Sequence, residues 1–446
     1  MLVAQKEVEA PQQLLERLAE ARGRTDEIFR IVTPDSLYER PIAERHRIIF
    51  YLGHLEAFDW NLLRERVLGL KPFDADLDKL FAFGIDPVNG TLPTDQPSDW
   101  PSVTSARRYV DRIRENIDAG LTALESSDWN STPAGTDYSA SKLLHVAVEH
   151  RLMHAETLAY MLHQLPLERK IRKPREPELV VSASAPRMIE IPAGRATLGM
   201  SSRDGVFGWD NEFAAQTVDV PAFAIDKYKV TNRQYIEFMA AGGYEDPTFW
   251  TEEDWNWRAA HDIRHPVFWT RNQDRWYYRT MFDETPLPVE WPVYVSHAEA
   301  GAYARWANKS LPTEAQWHRA AYGTANDIER FFPWGDEEPN TTKGNFDFHS
   351  WDPTPVNAFP EGDSAFGVAD LLGNGWEWTS SRFDPFPGFQ RFSFYPGYSA
   401  DFFDGKHYVM KGASPRTAAC MLRRSFRNWF QPHYQYVYAG FRCVSK

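Results

Sequence analysis

Two histidines, His150 and His154, stand with three residues between them in the segment Val148–Leu158. On an α-helix, with about 100° per residue, such side chains lie one turn apart on one face, so both imidazoles can bind one metal ion. A third histidine, His54, follows the apolar run Ile48–Leu52. A histidine buried there needs a carbonyl, a carboxylate or a metal as partner. These residues predict a metal site formed by His54, His150 and His154.

These candidate ligands do not identify the metal. Three neutral imidazoles on one side of an ion leave the other positions to substrate and dioxygen, whereas two imidazoles and a carboxylate form the facial triad of iron oxygenases. Glu156 is the carboxylate alternative, but on a straight helix it points about 200° away from His154. We therefore expect it to serve packing or an outer position. Three histidines with one water also form a zinc site.

These histidines lie in the part of the chain that shows helical periodicity. Four segments up to about residue 163 have this pattern, and together they predict a four-helix bundle. A Pro-, Gly- and Asp-rich stretch over residues 86–101 is predicted to cross over the bundle as a long loop. The predicted helices are Pro11–Val32, Ile42–Leu68, Val103–Leu124 and Ser139–His163.

A second domain is predicted from about residue 186, where short β-prone runs, turn residues and many aromatic residues replace the helical pattern. A charged run that contains several prolines, over residues 165–177, predicts a linker. We place the domains at 1–176 and 177–446 and expect an α+β protein, a helical bundle followed by a mixed domain. Its predicted helices are Asn232–Ala240, Ser296–Ala307 and Thr313–Ala321.

Composition excludes several function classes. Cys420 and Cys443 are the only cysteines, which argues against a disulfide framework and against a thiolate zinc site. The net charge of −13 argues against nucleic-acid and anionic-membrane partners. Neither an apolar run of about 18 residues nor a leader-like start occurs. We expect a cytoplasmic protein that acts on small molecules, and the sequence leaves the oligomeric state open.

Seven motifs of the second domain resemble the formylglycine-generating-enzyme type of domain, a variant of the C-type lectin fold. The resemblance spans about residues 186–446. Formylglycine-generating enzymes use two closely placed cysteines near the end of the domain, where this chain has only Cys420, so that activity is not expected. The motifs are Met188–Gly194, Trp209–Glu212, Lys229–Tyr235, Pro292–Ser296, Leu311–Trp317, Gly373–Thr379 and Gly440–Val444.

The first domain, with His54 and the pattern from His150 to Glu156, resembles the DinB-type bundle that precedes such a domain in the ergothioneine sulfoxide synthases. The resemblance implies that His54, His150 and His154 hold iron(II). It also implies a reaction with dioxygen as co-substrate. In that reaction a C–S bond forms between the imidazole C2 of Nα-trimethylhistidine (hercynine) and a thiol, cysteine or γ-glutamylcysteine, and the product is a sulfoxide.

The resemblance also points to substrate residues. Asn428 and Trp429 match the segment that contacts trimethylhistidine, and an aromatic face suits a quaternary ammonium. Two substrate positions depart from the best-known branch. Phe430 replaces an Asp that meets the amine of γ-glutamylcysteine, and Met153 replaces a Gln before the second helical histidine. These departures suggest another branch, with free cysteine as a candidate donor.

A tyrosine of the second domain is the family's proton donor, and here Tyr395 and Tyr398 are the candidates. The alternatives are a selenoneine or 5-thiohistidine synthase on the same scaffold, a non-enzymatic lectin-like binding module, and a zinc- or nickel-dependent thiol transferase. The thiol's carboxylate needs a cation. The candidate cations are Arg107, Arg108, Arg112, Arg423, Arg424 and Arg427.

Overall fold

The computed structural model describes residues 9–84, 92–174, 179, 181, 183, 185–202 and 205–445. The chain forms two compact units. The helical unit comprises residues 1–173 with 205–207 and 392–395, and the mixed unit comprises 174–204, 208–391 and 396–446. The predicted domain boundary at 176/177 and residues 86–91 of the predicted crossover loop lie outside the described residues.

Five helices form the described part of the helical unit. Three begin at a side-chain cap, where Asp74, Ser102 or Ser139 accepts a hydrogen bond from the backbone N–H three residues later. Such caps satisfy one of the N–H groups that a helix start leaves unpaired. The helices are α1 (Pro11–Arg30), α2 (Ile48–Leu63), α3 (Ala75–Phe83), α4 (Val103–Thr122) and α5 (Ala140–His163).

Two details of the predicted bundle are wrong. The second helix does not span Ile42–Leu68, because it begins at Ile48, whose N–H is bonded to the carbonyl of Glu39 in a folded-back turn. Helix α3 was missed. It has only nine residues. A helix so short is marginal by itself and depends on tertiary packing, here against α2, which a local pattern does not reveal.

The described part of the mixed unit contains four small sheets and four α-helices. The sheets have the strand orders β1-β4-β12, β10-β9-β8-β11, β2-β3 and β5-β6-β7. The strands are β1 (Met188–Ile191), β2 (Gly194–Leu198), β3 (Gln216–Val220), β4 (Phe223–Asp226), β5 (Trp269–Asn272), β6 (Arg275–Arg279), β7 (Glu284–Pro286), β8 (Gly375–Arg382), β9 (Tyr408–Ala413), β10 (Asn428–Phe430), β11 (Ala439–Gly440) and β12 (Val444–Ser445). The helices are α6 (Asn232–Ala240), α7 (Glu252–Ala260), α8 (His297–Trp306) and α9 (Glu314–Tyr322).

Three of these helices match the predicted ones to within a residue or two at each end, and α7 was missed. Like α3 it is nine residues long. No described helix of either unit combines the length and apolar composition that a bilayer crossing requires.

A buried ionic cluster joins three motifs of the mixed unit. Arg442, in the closing motif, donates to both carboxylate oxygens of Glu377 at 2.6 and 2.7 Å. The ammonium of Lys229 lies 3.2 Å from the same carboxylate. All three side chains are fully buried, so each charge needs the others as compensation. The cluster holds β8 in place. Strand β8 pairs with β9, and β9 pairs with β10, the strand of Asn428 and Trp429.

Candidate metal centre and substrate residues

The three predicted histidines meet in the helical unit. His54 comes from α2, and His150 and His154 come from α5, and each offers one ligand atom within 4.8 Å of the others. Their ring centroids are 4.5 to 5.3 Å apart. Metal–nitrogen bonds of about 2.0–2.1 Å place ligand atoms of one ion about 3–4 Å apart, so small side-chain adjustments bring these atoms onto one ion.

A hydrogen bond selects the tautomer of His54. Its Nδ1 lies 2.7 Å from the carbonyl oxygen of Phe81. That carbonyl belongs to the last turn of α3, where backbone carbonyls have no N–H partner within the helix. A carbonyl only accepts, so Nδ1 carries the proton and the lone pair of Nε2 is available to a metal.

The other two histidines also fit a metal. The Nδ1 atoms of His150 and His154 are buried and have no hydrogen-bond partner among the described residues. Burial lowers the pKa of His54 to about 4 and holds the pKa values of His150 and His154 well below 6.5. All three imidazoles are therefore neutral at pH 7, the form that binds a metal ion. Buried, unpaired ring nitrogens are the donor set of such a site.

Aromatic rings pack against each histidine. Phe58 stacks on His150 with centroids 3.4 Å apart and planes 11° apart. Phe50 stacks on His54 at 4.6 Å and 26°. Such contacts restrict the rotation of an imidazole and so fix the direction of its lone pair.

A buried ionic network lies beside the histidines. Arg151, which follows His150, is fully buried and donates to Glu56 at 2.8 and 2.9 Å and to Asp59 at 2.6 Å. Both carboxylates belong to α2, the helix of His54. Burial raises the pKa of Asp59 to about 6. The network joins α2 to α5 at the level of the metal ligands. Glu156, the alternative carboxylate ligand, is buried and is not part of the cluster of ligand atoms.

The structure separates the two candidate tyrosines. The ring of Tyr395 belongs to the helical unit and lies 6.4 Å from the ring of His150 and 5.3 Å from that of Phe58. Tyr398 belongs to the mixed unit, where it stacks on Trp209 at 3.9 Å and meets Trp429 edge-on at 5.5 Å. Of these two phenols, Tyr395 is the one beside the histidines.

The segment Asn428–Phe430 of the mixed unit, which the resemblance predicts to contact substrate, makes several aromatic contacts. Trp429 stacks on Phe383 at 4.1 Å and 8°, and the ring of Phe402 lies 5.6 Å from it. Asn428 accepts a hydrogen bond from the backbone N–H of Trp429. Phe430 stacks on Tyr434 at 5.0 Å. Asn428, Trp429 and Phe430 are all partly exposed, so each can contact a ligand.

The arginines near the end of the chain are paired inside the mixed unit. Arg423 is bidentate to Glu212, Arg424 pairs with Glu329 at 3.2 Å, and Arg427 pairs with Glu314 at 3.1 Å. In the helical unit, Arg107 and Arg108 are exposed, and the guanidinium of Arg112 lies 4.2 Å from the ring of Phe73. The charges of the first three are therefore already compensated, which weakens them as candidates for a substrate carboxylate.

Family models match both parts of the chain. Residues 17–158 match the DinB superfamily, and residues 174–446 match the sulfatase-modifying factor enzyme 1-like domain. The sequence prediction of a two-domain α+β architecture of this kind is confirmed.

Curated relatives match a large part of the chain. Over 357 residues the chain is 35% identical to the hercynine oxygenase of Mycolicibacterium thermoresistibile, covering 77% of this chain and 75% of that protein. The chain belongs to the ergothioneine sulfoxide synthase family. The hercynine oxygenase of Mycobacterium tuberculosis is 40% identical over 55% of this chain and 58% of its own length. Ergothioneine biosynthesis protein 1 of Neurospora crassa is 29% identical over 94% of this chain and 56% of its own length.

The sequence of this family member did not reveal every residue around the histidines. Phe58 was missed, although its position one helical turn after His54 places it on the same face. Arg151 was missed, although a cation inside an apolar helix calls for a buried partner. The carbonyl of Phe81 left no sequence signal, because it depends on helix α3.

Proposed function

We propose that this chain is an iron(II)- and dioxygen-dependent sulfoxide synthase that joins the imidazole C2 of hercynine to the sulfur of a thiol in ergothioneine biosynthesis. The observation that carries the proposal is the cluster of His54, His150 and His154 in a chain that aligns with hercynine oxygenases. A cytoplasmic location is part of the proposal.

The atoms of the reaction balance with one dioxygen. The C2–H and S–H bonds break and a C–S bond forms. One oxygen atom ends on sulfur and the other leaves as water with the two protons. Iron(II), when bound by the three histidines, supplies the oxygen-activating redox chemistry. His54, His150 and His154 would hold the ion, and three protein ligands would leave its remaining positions to co-substrates.

The protein's own groups bind substrate and supply a proton. We assign the proton donor to Tyr395, whose ring lies 6.4 Å from that of His150. A phenol beside the metal directs oxygen reduction toward C–S bond formation rather than simple oxidation of the thiol. We assign the trimethylammonium group to Trp429 and its aromatic neighbours, and the carboxylate to the amide of Asn428.

The thiol donor we propose is free cysteine. Phe430 stands where the best-known branch has an aspartate for the amine of γ-glutamylcysteine. The ring of Phe430 stacks on Tyr434 and offers no carboxylate to that amine. With Met153 in place of glutamine, the imidazole of hercynine meets a thioether instead of an amide.

Oxygen uptake by the iron(II)-loaded protein tests the proposal. Hercynine is supplied with cysteine, with γ-glutamylcysteine or with a selenol donor, and products are identified by mass spectrometry. His150→Ala removes a ligand, and His261→Ala removes an exposed histidine as the matched control. We expect uptake that requires both hercynine and cysteine, yields the sulfoxide, survives in His261→Ala and disappears in His150→Ala.

Other outcomes point to the alternatives. Preference for the selenol identifies a selenoneine synthase, and substitution at imidazole C5 identifies a 5-thiohistidine synthase. Metal-dependent thiol transfer without oxygen uptake favours a zinc- or nickel-dependent transferase. Absence of both metal binding and turnover favours a lectin-like binding module and defeats the proposal.

A further inference from the structure

One aromatic ring of the helical unit connects the histidines to Tyr395. Phe58 lies one turn after His54 on α2 and shares its face. Its ring stacks on the imidazole of His150 at 3.4 Å and 11°. The same ring meets Tyr395 edge-on, at 5.3 Å and 60°, and lies 6.4 Å from the ring of His54.

These contacts constrain two groups at once. A face-to-face contact at 3.4 Å holds the plane of His150, and the plane of an imidazole fixes the direction of its lone pair. The edge-on contact limits the positions of the Tyr395 ring, and therefore of its hydroxyl. Phe58 remains partly accessible, whereas its neighbours Ala57 and Asp59 are buried.

The segment that carries Tyr395 is attached independently of Phe58. Both the backbone N–H and the hydroxyl of Ser393 donate to the carboxylate of Asp137. The ammonium of Lys142 lies 4.2 Å from the ring centroid of Phe392. A change at Phe58 therefore alters the placement of the Tyr395 ring without detaching residues 392–395.

We propose that Phe58 is a positioning residue that sets the geometry between the His150 imidazole and the Tyr395 phenol. This inference rests on the proposed function. Through that geometry Phe58 determines what share of the consumed dioxygen yields the C–S product and what share only oxidises the thiol. The effect follows because proton delivery depends steeply on the distance and direction of the donor.

The test compares Phe58→Leu and Phe58→Met, which keep apolar volume but lose the flat ring, with Phe58→Tyr, which keeps the ring. Phe29→Leu, a buried aromatic change on α1, is the matched control. The first readout is the visible absorption of the cobalt(II)-loaded protein without substrate, which reports ligand geometry. The second is the molar ratio of sulfoxide formed to dioxygen consumed, with metal content measured for every variant.

We expect Phe58→Leu and Phe58→Met to bind one metal ion, to change the cobalt spectrum and to lower the sulfoxide ratio several-fold. Phe58→Tyr and Phe29→Leu should match the wild type in both readouts. If Phe58→Leu does not fold, Phe58→Met carries the same comparison. Unchanged spectra and ratios in the leucine and methionine variants overturn the proposal, as does an equal loss in Phe29→Leu.

The two readouts separate this inference from the proposed function. If the wild type forms no sulfoxide with any donor, the proposed function fails, and the cobalt spectra decide the positioning role by themselves. In that case a Phe58→Leu spectrum identical to the wild type overturns the role, and a changed spectrum that Phe58→Tyr restores supports it.

Discussion

The Nδ1 atom of His54 donates a hydrogen bond to the carbonyl oxygen of Phe81, 2.7 Å away on a neighbouring helix. This contact requires a close approach of the two helices. Gly53, the residue before His54, permits it, because a Cβ at Gly53 would lie 2.3 Å from a ring carbon of Phe81. The orientation of one metal ligand thus depends on the absence of a methyl group at the adjacent position.

Gly53→Ala should weaken metal binding by about tenfold to a hundredfold, the usual cost of losing an outer hydrogen bond to a metal-ligating histidine. The added methyl displaces Phe81 and breaks its bond to His54. Competition with a chromophoric chelator measures the affinity. Gly23→Ala on α1 is the control, because a Cβ there meets nothing within 4 Å. Equal affinity in the two variants would contradict the role of Gly53.

Metal affinity should change little as the pH falls from about 7.5 to about 5.5, and should decline near pH 4. Protonated imidazole does not bind metal, so competition by protons begins when the pH approaches the pKa of the folded site. Burial lowers that pKa to about 4 for His54, from 6.5. A decline that begins at pH 6.5 would contradict the lowered values. Circular dichroism at each pH confirms that the protein is still folded.

Arg151→Met should lower the free energy of unfolding by about 3–5 kcal/mol, because Asp59 loses the guanidinium bonded to it and Glu56 keeps the hydrogen bond from Arg114 but loses those from Arg151. The matched control is Arg169→Met. Its ion pair with Glu39 is exposed, at 45% and 44%, so the expected change is below about 1 kcal/mol. Urea denaturation of the whole chain, followed by helical circular dichroism, measures both. Similar losses in the two variants would mean that the buried network contributes no more than a surface pair.

Tyr395→Phe should lower the yield of sulfoxide per dioxygen, and Tyr398→Phe should leave it unchanged. The reason is placement, since the Tyr395 ring lies 6.4 Å from that of His150, whereas Tyr398 stacks on Trp209. Both substitutions remove one hydroxyl and keep the ring. Product and oxygen measurements on the iron-loaded variants decide between the two phenols, and a loss confined to Tyr398→Phe would reassign the proton donor.

Phe430→Asp should shift donor preference toward γ-glutamylcysteine by about tenfold or more, the effect of one charged hydrogen bond of about 1.5–3 kcal/mol. Phe430→Asn has the same shape without the charge and serves as the control. The ratio of kcat/KM for γ-glutamylcysteine and cysteine is the measurement. An equal shift in both variants would assign the effect to loss of the aromatic ring rather than to the carboxylate.

Local spacing accounts for what the sequence predicted well. His150 and His154 share a face because 3.6 residues make one helical turn, and this holds wherever the helix packs. Capping residues gave α6, α8 and α9 to within a residue or two, since a cap acts within one turn. The short helix α3 was missed because its stability depends on α2, which lies elsewhere in the chain.

The sequence by itself determined the three histidines, the helical bundle before a mixed domain, and the family. Only the tertiary structure placed Tyr395 rather than Tyr398 beside His150, paired Arg423, Arg424 and Arg427 with internal carboxylates, and brought the carbonyl of Phe81 to His54. Spacing along one helix is fixed by backbone geometry, whereas contacts between distant segments depend on how whole elements pack, and no local pattern encodes that packing.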